Sequence, residues 1–173
     1  RMSAPPIWGF ENWFMDYKKS HGCVMDMHIH DIDMIRYIFG EPLEVSCFTQ
    51  DVYSGKDIVH STLKYSDFSM LAIGDWSQEG FPFTADFRVS FEKATVDFNG
   101  DVVTVYPRGG EAFKPEISNN DFYYSEIEFF IQSIINDIDN VANPPESAAL
   151  SVKLASTLIK SSNEQGKFIP FDL

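Results

Sequence analysis

Apolar and polar positions along the chain first follow a helical period. Apolar residues recur every three or four positions between residues 23 and 39, as in an amphipathic helix. The stripe consists of Val24, Met25, Ile32, Ile35, Ile38 and Phe39. Gly40 is a suitable C-terminal cap, and Pro42 prevents the helix from continuing. We therefore predict a helix over residues 23–39, preceded by an irregular, aromatic-rich segment that covers the first 20 residues.

The pattern then changes to period two, which predicts about six strands. Their ranges are residues 43–53, 58–65, 70–76, 83–91, 94–98 and 102–106. The second strand places four residues on one face, Val59, Ser61, Leu63 and Tyr65. The Asn99-Gly100 pair between the last two strands is a strong hairpin signal. Short turns between successive strands favour an antiparallel sheet over βαβ units.

Helical periodicity returns in the last third of the chain. It predicts helices over residues 122–138 and 146–163, separated by Pro144-Pro145 and ended by Gly166. Residues 168–171 predict a short edge strand. The fold class is therefore α+β, an open, mostly antiparallel sheet with helices packed on one face. With no repeat or linker, we expect residues 1–173 to form a single domain, and we predict a homo-oligomer through the uncovered sheet face.

Charge and composition restrict the possible partners. The 173 residues include 13 Lys and Arg against 26 Asp and Glu, a net charge of −13. This balance argues against nucleic acid and anionic membrane surfaces as partners. No apolar run reaches the roughly 18 to 20 residues that span a bilayer. Two cysteines, Cys23 and Cys47, are too few for a disulfide framework, so we predict buried, reduced thiols and a cytoplasmic location.

Ionisable residues concentrate between residues 26 and 33. If this segment is helical, one stripe holds Asp26, His30, Asp33 and Tyr37. A carboxylate one turn from an imidazole favours the protonated ring and orients it, which suits a general base. His28 and Asp31 would point toward the apolar side, where they either need buried partners or lie at the edge where the helix meets loops. The alternative interpretation of the stripe is an ordinary solvated polar face.

If the same segment is instead a strand, Asp26, His28 and His30 share one face. This arrangement resembles the metal-binding Asp-x-His-x-His strand of amidohydrolases and suggests a zinc-dependent hydrolase. Those enzymes are (β/α)₈ barrels of about 250 residues with further His and Asp ligands. Downstream of this segment the chain has only one more histidine, His60, and lacks βα alternation. The hydrolase is therefore the less favoured alternative, and we assign no metal ligands.

Several other motifs are absent from the sequence. There is no G-x-G-x-x-G, no G-K-[ST] and no G-x-S-x-G. We therefore expect no cofactor-binding residues in this chain.

The order of these residues resembles the C-terminal domain of the Gfo/Idh/MocA family of NAD(P)-dependent oxidoreductases. The matching positions are Gly22, Asp26, His30, Asp31, Asp33, Gly40, Pro42 and Val45. Residues 124–130 look like the family's Tyr-x-Glu-Ile-x-x-Phe helix, and residues 146–166 look like its closing helix. The resemblance covers nearly the whole chain.

The resemblance implies a function for the polar stripe. His30 would be the general base that takes a hydroxyl proton while hydride leaves the carbinol carbon for NAD or NADP. Asp26 would orient His30, and Asp33 would bind the substrate, a sugar, polyol or related hydroxy compound. The family's sheet often forms its oligomer interface.

The chain departs from the family pattern in two ways. The usual Gly-Gly reads Gly22-Cys23, and the N-terminal Rossmann domain, with its glycine loop and Glu-Lys-Pro segment, is absent. We therefore expect a fragment of a larger two-domain enzyme that, alone, neither binds a dinucleotide tightly nor turns over substrate. The alternative is a non-catalytic binding or assembly module of the same fold.

Overall fold

A computed structural model describes residues 1–117 and 121–172. In chain order the elements are a 3₁₀ segment Phe10–Met15, α1 Tyr17–Ser20, α2 Gly22–Asp26, α3 Ile29–Phe39, β1 Glu44–Gln50, β2 Ile58–Lys64, β3 Ser69–Asp75, β4 Phe87–Ser90, β5 Ala94–Phe98, β6 Val103–Pro107, α4 Phe122–Ile135, α5 Pro145–Asn163 and β7 Ile169–Pro170. The strands form a four-stranded sheet, β3-β2-β1-β7, and a three-stranded sheet, β4-β5-β6. All strand pairs are antiparallel, which confirms the α+β class.

The chain groups into two compact units, and the first contains the four-stranded sheet with α1, α2, α3 and α5. Its core joins residues of α2, α3 and α5 to β1 and β2, because each of these elements has one apolar face. The buried residues of the cluster include Cys23, Val24, Ile32, Val45, Cys47, Val59, Leu63, Trp76, Leu154, Ala155 and Leu158. The predicted inward face of β2 is confirmed, since all four of its residues are buried.

The second unit, Asp86–Pro145, contains β4, β5, β6 and α4. The predicted hairpin is confirmed, with Phe98 of β5 opposite Val103 of β6. The Asn99 side-chain oxygen accepts hydrogen bonds from the backbone N–H groups of Asp101 and Val102, at 3.1 and 2.9 Å. This local bond explains why asparagine starts the turn.

Several predicted elements differ from the structure. The helix over residues 23–39 is divided into α2 and α3, and part of the first 20 residues is helical rather than irregular. The strand over residues 83–91 is shortened to β4. Its earlier part pairs elsewhere, because Thr84 exchanges backbone hydrogen bonds of 2.9 and 3.0 Å with Met2. Alternation predicts an extended backbone but does not identify the strand's partner.

Both cysteines are buried and unpaired, as predicted. Burial raises the pKa of both thiols, that of Cys47 to about 12, so neither is a reactive thiolate near neutral pH. Among the described residues, no helix combines the length and apolar character needed to cross a membrane.

Candidate functional site

The junction between α2 and α3 divides the polar segment of the chain. The backbone N–H groups of Met27 and His28 both donate to the carbonyl of Cys23, at 3.1 and 2.8 Å. The second bond spans five residues, which is the spacing of a π-type turn. α3 resumes at Ile29. The prediction of one uninterrupted helix is therefore wrong at residues 27 and 28, although both flanking parts are helical.

Asp26 and His30 lie on opposite sides of this junction. Asp26 ends α2 and is partly buried, whereas His30 lies in the first turn of α3 and is exposed. Burial raises the pKa of Asp26, and the charge of His30 opposes that rise. The structure thus places a partly desolvated carboxylate at the end of α2 and an accessible imidazole in the first turn of α3.

Asp33 lies one turn after His30 and is held by the last long helix. The hydroxyl of Ser151, in α5, donates a hydrogen bond to Asp33 Oδ1. The guanidinium atom Nη1 of Arg36 lies 3.5 Å from the same oxygen. The Asp33 side chain is nevertheless 44 % exposed. It can therefore meet a ligand while one of its oxygens is anchored.

The side chain of Arg36, a residue of α3, is buried against α5, and its positive charge is compensated. Its Nε and Nη2 donate to the two carboxylate oxygens of Glu41, at 2.8 and 2.6 Å. Its Nη1 donates to the carbonyl of Ser147 at 2.9 Å and to the hydroxyl of Ser151. A buried guanidinium is costly unless its donors are satisfied, and this bidentate pair satisfies it. The sequence pattern did not single out Arg36 or Ser151.

His28 points the other way, into the core, as the helical interpretation required. Its Nε2 lies 2.7 Å from the hydroxyl oxygen of Ser61 in β2. The same hydroxyl lies 3.3 Å from the carbonyl oxygen of Ala72, to which it can donate. His28 Nδ1 lies 3.7 Å from Asp31 Oδ2, and Asp31 Oδ1 accepts from Arg1 Nε at 2.6 Å. His28 thus has a buried partner in Ser61, whereas Asp31 is only partly buried and pairs with Arg1.

These positions contradict the strand arrangement behind the zinc alternative. The segment is helical, His28 is buried and bonded to Ser61, and His30 is exposed. Within residues 1–117 and 121–172 no group of three His, Cys, Asp or Glu side chains could hold a metal ion. The shared face of Asp26, His28 and His30 that a zinc site would need is therefore absent from this segment.

The loop between β1 and β2, residues 51–57, is built around a carboxylate that the sequence pattern did not single out. Asp57 is fully buried and accepts from four backbone N–H groups, a hydroxyl and an indole. These donors are the N–H groups of Val52, Tyr53, Ser54 and Gly55, the Ser54 hydroxyl, and Trp76 Nε1 at 2.6 Å. Burial alone would raise the pKa of Asp57, but these hydrogen bonds outweigh it and lower the pKa. A buried tryptophan downstream of an Asp-containing loop was the only sequence signal.

The same loop supports the start of α2. The backbone N–H of Cys23 donates to the carbonyl of Lys56 at 3.1 Å. Gly22 has φ +72°, and a Cβ atom there would lie 2.4 Å from the carbonyl oxygen of Gly55. Only glycine fits this close approach. The loop therefore fixes where α2 begins and, four residues later, where Asp26 stands.

Comparison with models of known protein families identifies the class of this domain. The family model described as the GFO/IDH/MocA C-terminal domain matches residues 1–110. The chain belongs to this family. A search of the curated proteins finds no match to the chain.

Solved structures of oxidoreductases share the fold. A levoglucosan dehydrogenase in complex with NADH and levoglucosan matches with a TM-score of 0.82 and 13 % identity, over 99 % of this chain and 57 % of that one. An NAD binding oxidoreductase from Klebsiella pneumoniae matches with a TM-score of 0.80 and 13 % identity, over 99 % of this chain and 57 % of that one. An oxidoreductase from Thermotoga maritima matches with a TM-score of 0.74 and 20 % identity, over 92 % of this chain and 47 % of that one. The chain thus spans about half the length of these proteins.

Proposed function

We propose that this chain is the substrate-binding domain of an NAD(P)-dependent oxidoreductase that acts on the CH–OH group of a sugar, polyol or related hydroxy compound. The observation that carries the proposal is the partly buried carboxylate of Asp26 and the exposed imidazole of His30 on either side of the α2–α3 junction. Family membership supports the reaction class. The levoglucosan bound to one structural neighbour supports a sugar-like substrate.

In the proposed reaction His30 accepts the proton of the substrate hydroxyl. The bond between the carbon and that oxygen gains double-bond character as hydride leaves the same carbon, so the alcohol becomes a carbonyl. Asp26 orients the ring and stabilises the imidazolium that forms, and its partial burial strengthens this interaction. Asp33 accepts a hydrogen bond from a second substrate hydroxyl. The reverse reaction uses the same groups with His30 as the acid.

We infer that the dinucleotide binds outside the described residues of this chain. Every pair of strands is antiparallel, and no strand leads through a glycine-rich turn into a helix beside a parallel partner. We therefore place NAD or NADP on a Rossmann domain elsewhere in the full-length protein. The isolated chain should bind no dinucleotide tightly and should be inactive.

We further propose that the full-length protein is a homo-oligomer that associates through the outer face of the four-stranded sheet. The face opposite the buried residues of β2 carries apolar side chains that neither α2 nor α5 covers. Phe48 in β1 is 59 % exposed and Leu71 in β3 is 69 % exposed. Phe48 lies opposite His60 of β2, and Leu71 lies opposite Thr62, so both side chains project from the same face. The protein would act in the cytoplasm.

The proposal is tested by following NAD⁺ and NADP⁺ reduction by the full-length protein with levoglucosan, glucose and myo-inositol as substrates. Replacing His30→Asn should lower kcat/KM by about 10²- to 10⁴-fold, because general-base catalysis contributes roughly that much. His21→Asn is the matched control, since His21 is also exposed and its left-handed backbone suits asparagine. Equal activity of the His30→Asn variant and the wild type would contradict the proposal and favour a non-catalytic module.

A further inference from the structure

We infer that Ser151 of α5 is a positioning residue that orients the Asp33 carboxylate for substrate. The inference rests on the proposed function, in which Asp33 binds a substrate hydroxyl. Ser151 lies 118 positions from Asp33 along the chain and is buried. It therefore joins the closing helix of the chain to the polar segment of α3.

The direction of each hydrogen bond at Ser151 is determined by its partners. The Arg36 guanidinium can only donate, so the Ser151 oxygen must accept from Arg36 Nη1. The single hydroxyl hydrogen is then free for Asp33 Oδ1, and an ionised carboxylate can only accept. The serine thus connects a donor that cannot accept to an acceptor that cannot donate. An alanine or a valine at this position could not do so.

Arg36, which donates to the Ser151 oxygen, is held in a fixed position. Arg36 is held by both oxygens of Glu41 and by the carbonyl of Ser147. Because Arg36 is buried and its donors are occupied, the Ser151 oxygen is approached from a fixed direction. The hydroxyl hydrogen is consequently directed at Asp33 rather than free to rotate.

The hydrogen bond from Ser151 leaves Asp33 available to a ligand. Only Oδ1 of Asp33 receives the serine, and the described residues supply no hydrogen bond to Oδ2. With Oδ1 anchored by the serine, the other oxygen can accept a hydrogen bond from a ligand, since 44 % of the Asp33 side chain is exposed. Without the serine, Asp33 could close directly on Arg36 Nη1, which is already within 3.5 Å, and both charges would be engaged with each other.

The test is steady-state kinetics on the full-length enzyme with the best substrate of the screen above. Ser151→Ala should raise KM about 5- to 30-fold, the loss of one hydrogen bond to a charged group, while kcat stays within about twofold. Ser151→Thr, which keeps the hydroxyl, should restore most of the affinity. Ser156→Ala is the matched control, because Ser156 is an exposed serine of the same helix whose hydroxyl bonds only its own helix at the Val152 carbonyl.

A double-mutant cycle separates positioning from a purely structural effect. In an Asp33→Ala background, Ser151→Ala should cause no further rise in KM, because the group that it positions is gone. An equal rise in KM in both backgrounds would overturn the inference, and so would a wild-type KM for Ser151→Ala. The cycle does not depend on the threonine variant, whose added methyl group must fit a buried position.

The failure of the inference and that of the proposed function give different results. If Asp33→Ala raises KM and Ser151→Ala does not, only the inference on Ser151 is wrong. If Asp33→Ala leaves KM unchanged while His30→Asn lowers turnover, the substrate-binding role of Asp33 is wrong and the inference fails with it. If no variant changes turnover, the proposed function itself is wrong.

Discussion

At the residue scale, the Asp57 carboxylate organises the β1–β2 loop and through it the start of α2. Its six donors include backbone groups that have no other partner in the loop. An asparagine would keep the shape but present an N–H₂ group to some of these donors. We therefore expect Asp57→Asn to lower the free energy of unfolding by about 2–4 kcal/mol, measured by urea denaturation at neutral pH.

The depressed pKa of Asp57 also predicts how this effect depends on pH. Since the folded pKa lies below the unfolded value of about 3.9, the carboxylate contributes its full stabilisation above that value. The contribution is lost as the pH falls toward the folded pKa. The difference in stability between wild type and Asp57→Asn should therefore be largest at neutral pH and shrink on acidification.

Asp51→Asn provides the control for Asp57→Asn. Asp51 lies in the same loop and accepts a single exposed bond from the backbone N–H of Lys56, at 2.7 Å. The Asp51→Asn substitution should lower the free energy of unfolding by no more than about 1 kcal/mol. If both variants lose the same stability, or if the Asp57→Asn difference grows in acid, the role assigned to Asp57 is wrong.

At the element scale, glycine at the start of α2 decides where the helix lies. Gly22→Ala should lower the free energy of unfolding by about 1–2 kcal/mol, because alanine disfavours the positive φ at this position. The clash of the added Cβ with the Gly55 carbonyl should lower it by about 1–3 kcal/mol more. Gly80→Ala is the control, because Gly80 has φ +73° but no atom within 4 Å of the added Cβ. Thermal unfolding of both variants measures the difference, and equal losses would show that the close approach to Gly55 is unimportant.

The elements also show what the sequence could and could not predict. The inward face of β2, the Asn99 hairpin and the burial of His28 were predictable, because each depends on local period or on turn chemistry. The π-type turn at Met27 and His28 was not, since one extra backbone position leaves the apolar spacing on either side intact. The strand near Thr84 was predicted too long because its partner, Met2, lies 82 positions away.

The candidate site divides in the same way. Helical spacing relates His30 to Asp33 within α3, but it does not extend to Asp26, because the helix is interrupted at Met27 and His28. The anchoring of Asp33 by Ser151 does not follow from helical spacing, because that contact depends on how α5 packs against α3. From its place in a helix, Arg36 could be an exposed charged residue. Its burial depends on pairing with Glu41, which lies beyond the end of α3. Long-range polar contacts of this kind leave no periodic signal.

At the scale of the whole molecule, the outer sheet face is the surface on which assembly is proposed. Leu71→Arg should convert the full-length protein from an oligomer to a monomer, because a charge in an apolar interface must be desolvated. Light scattering coupled to gel filtration measures the mass of each species. Val141→Arg, an exposed apolar position of the second unit, should leave the mass unchanged. A monomeric wild type, or an oligomeric Leu71→Arg variant, would contradict assembly through this face.

Chemical rescue tests whether the His30 imidazole accepts the substrate proton. The full-length His30→Ala protein should lose about 10²- to 10⁴-fold in NAD(P)⁺ reduction, and added imidazole should restore part of that rate in proportion to its concentration. The exposed position of His30 leaves room for the added base. A His30→Ala enzyme that keeps its rate, or one that loses it and does not respond to imidazole, would contradict the assignment of His30 as the base.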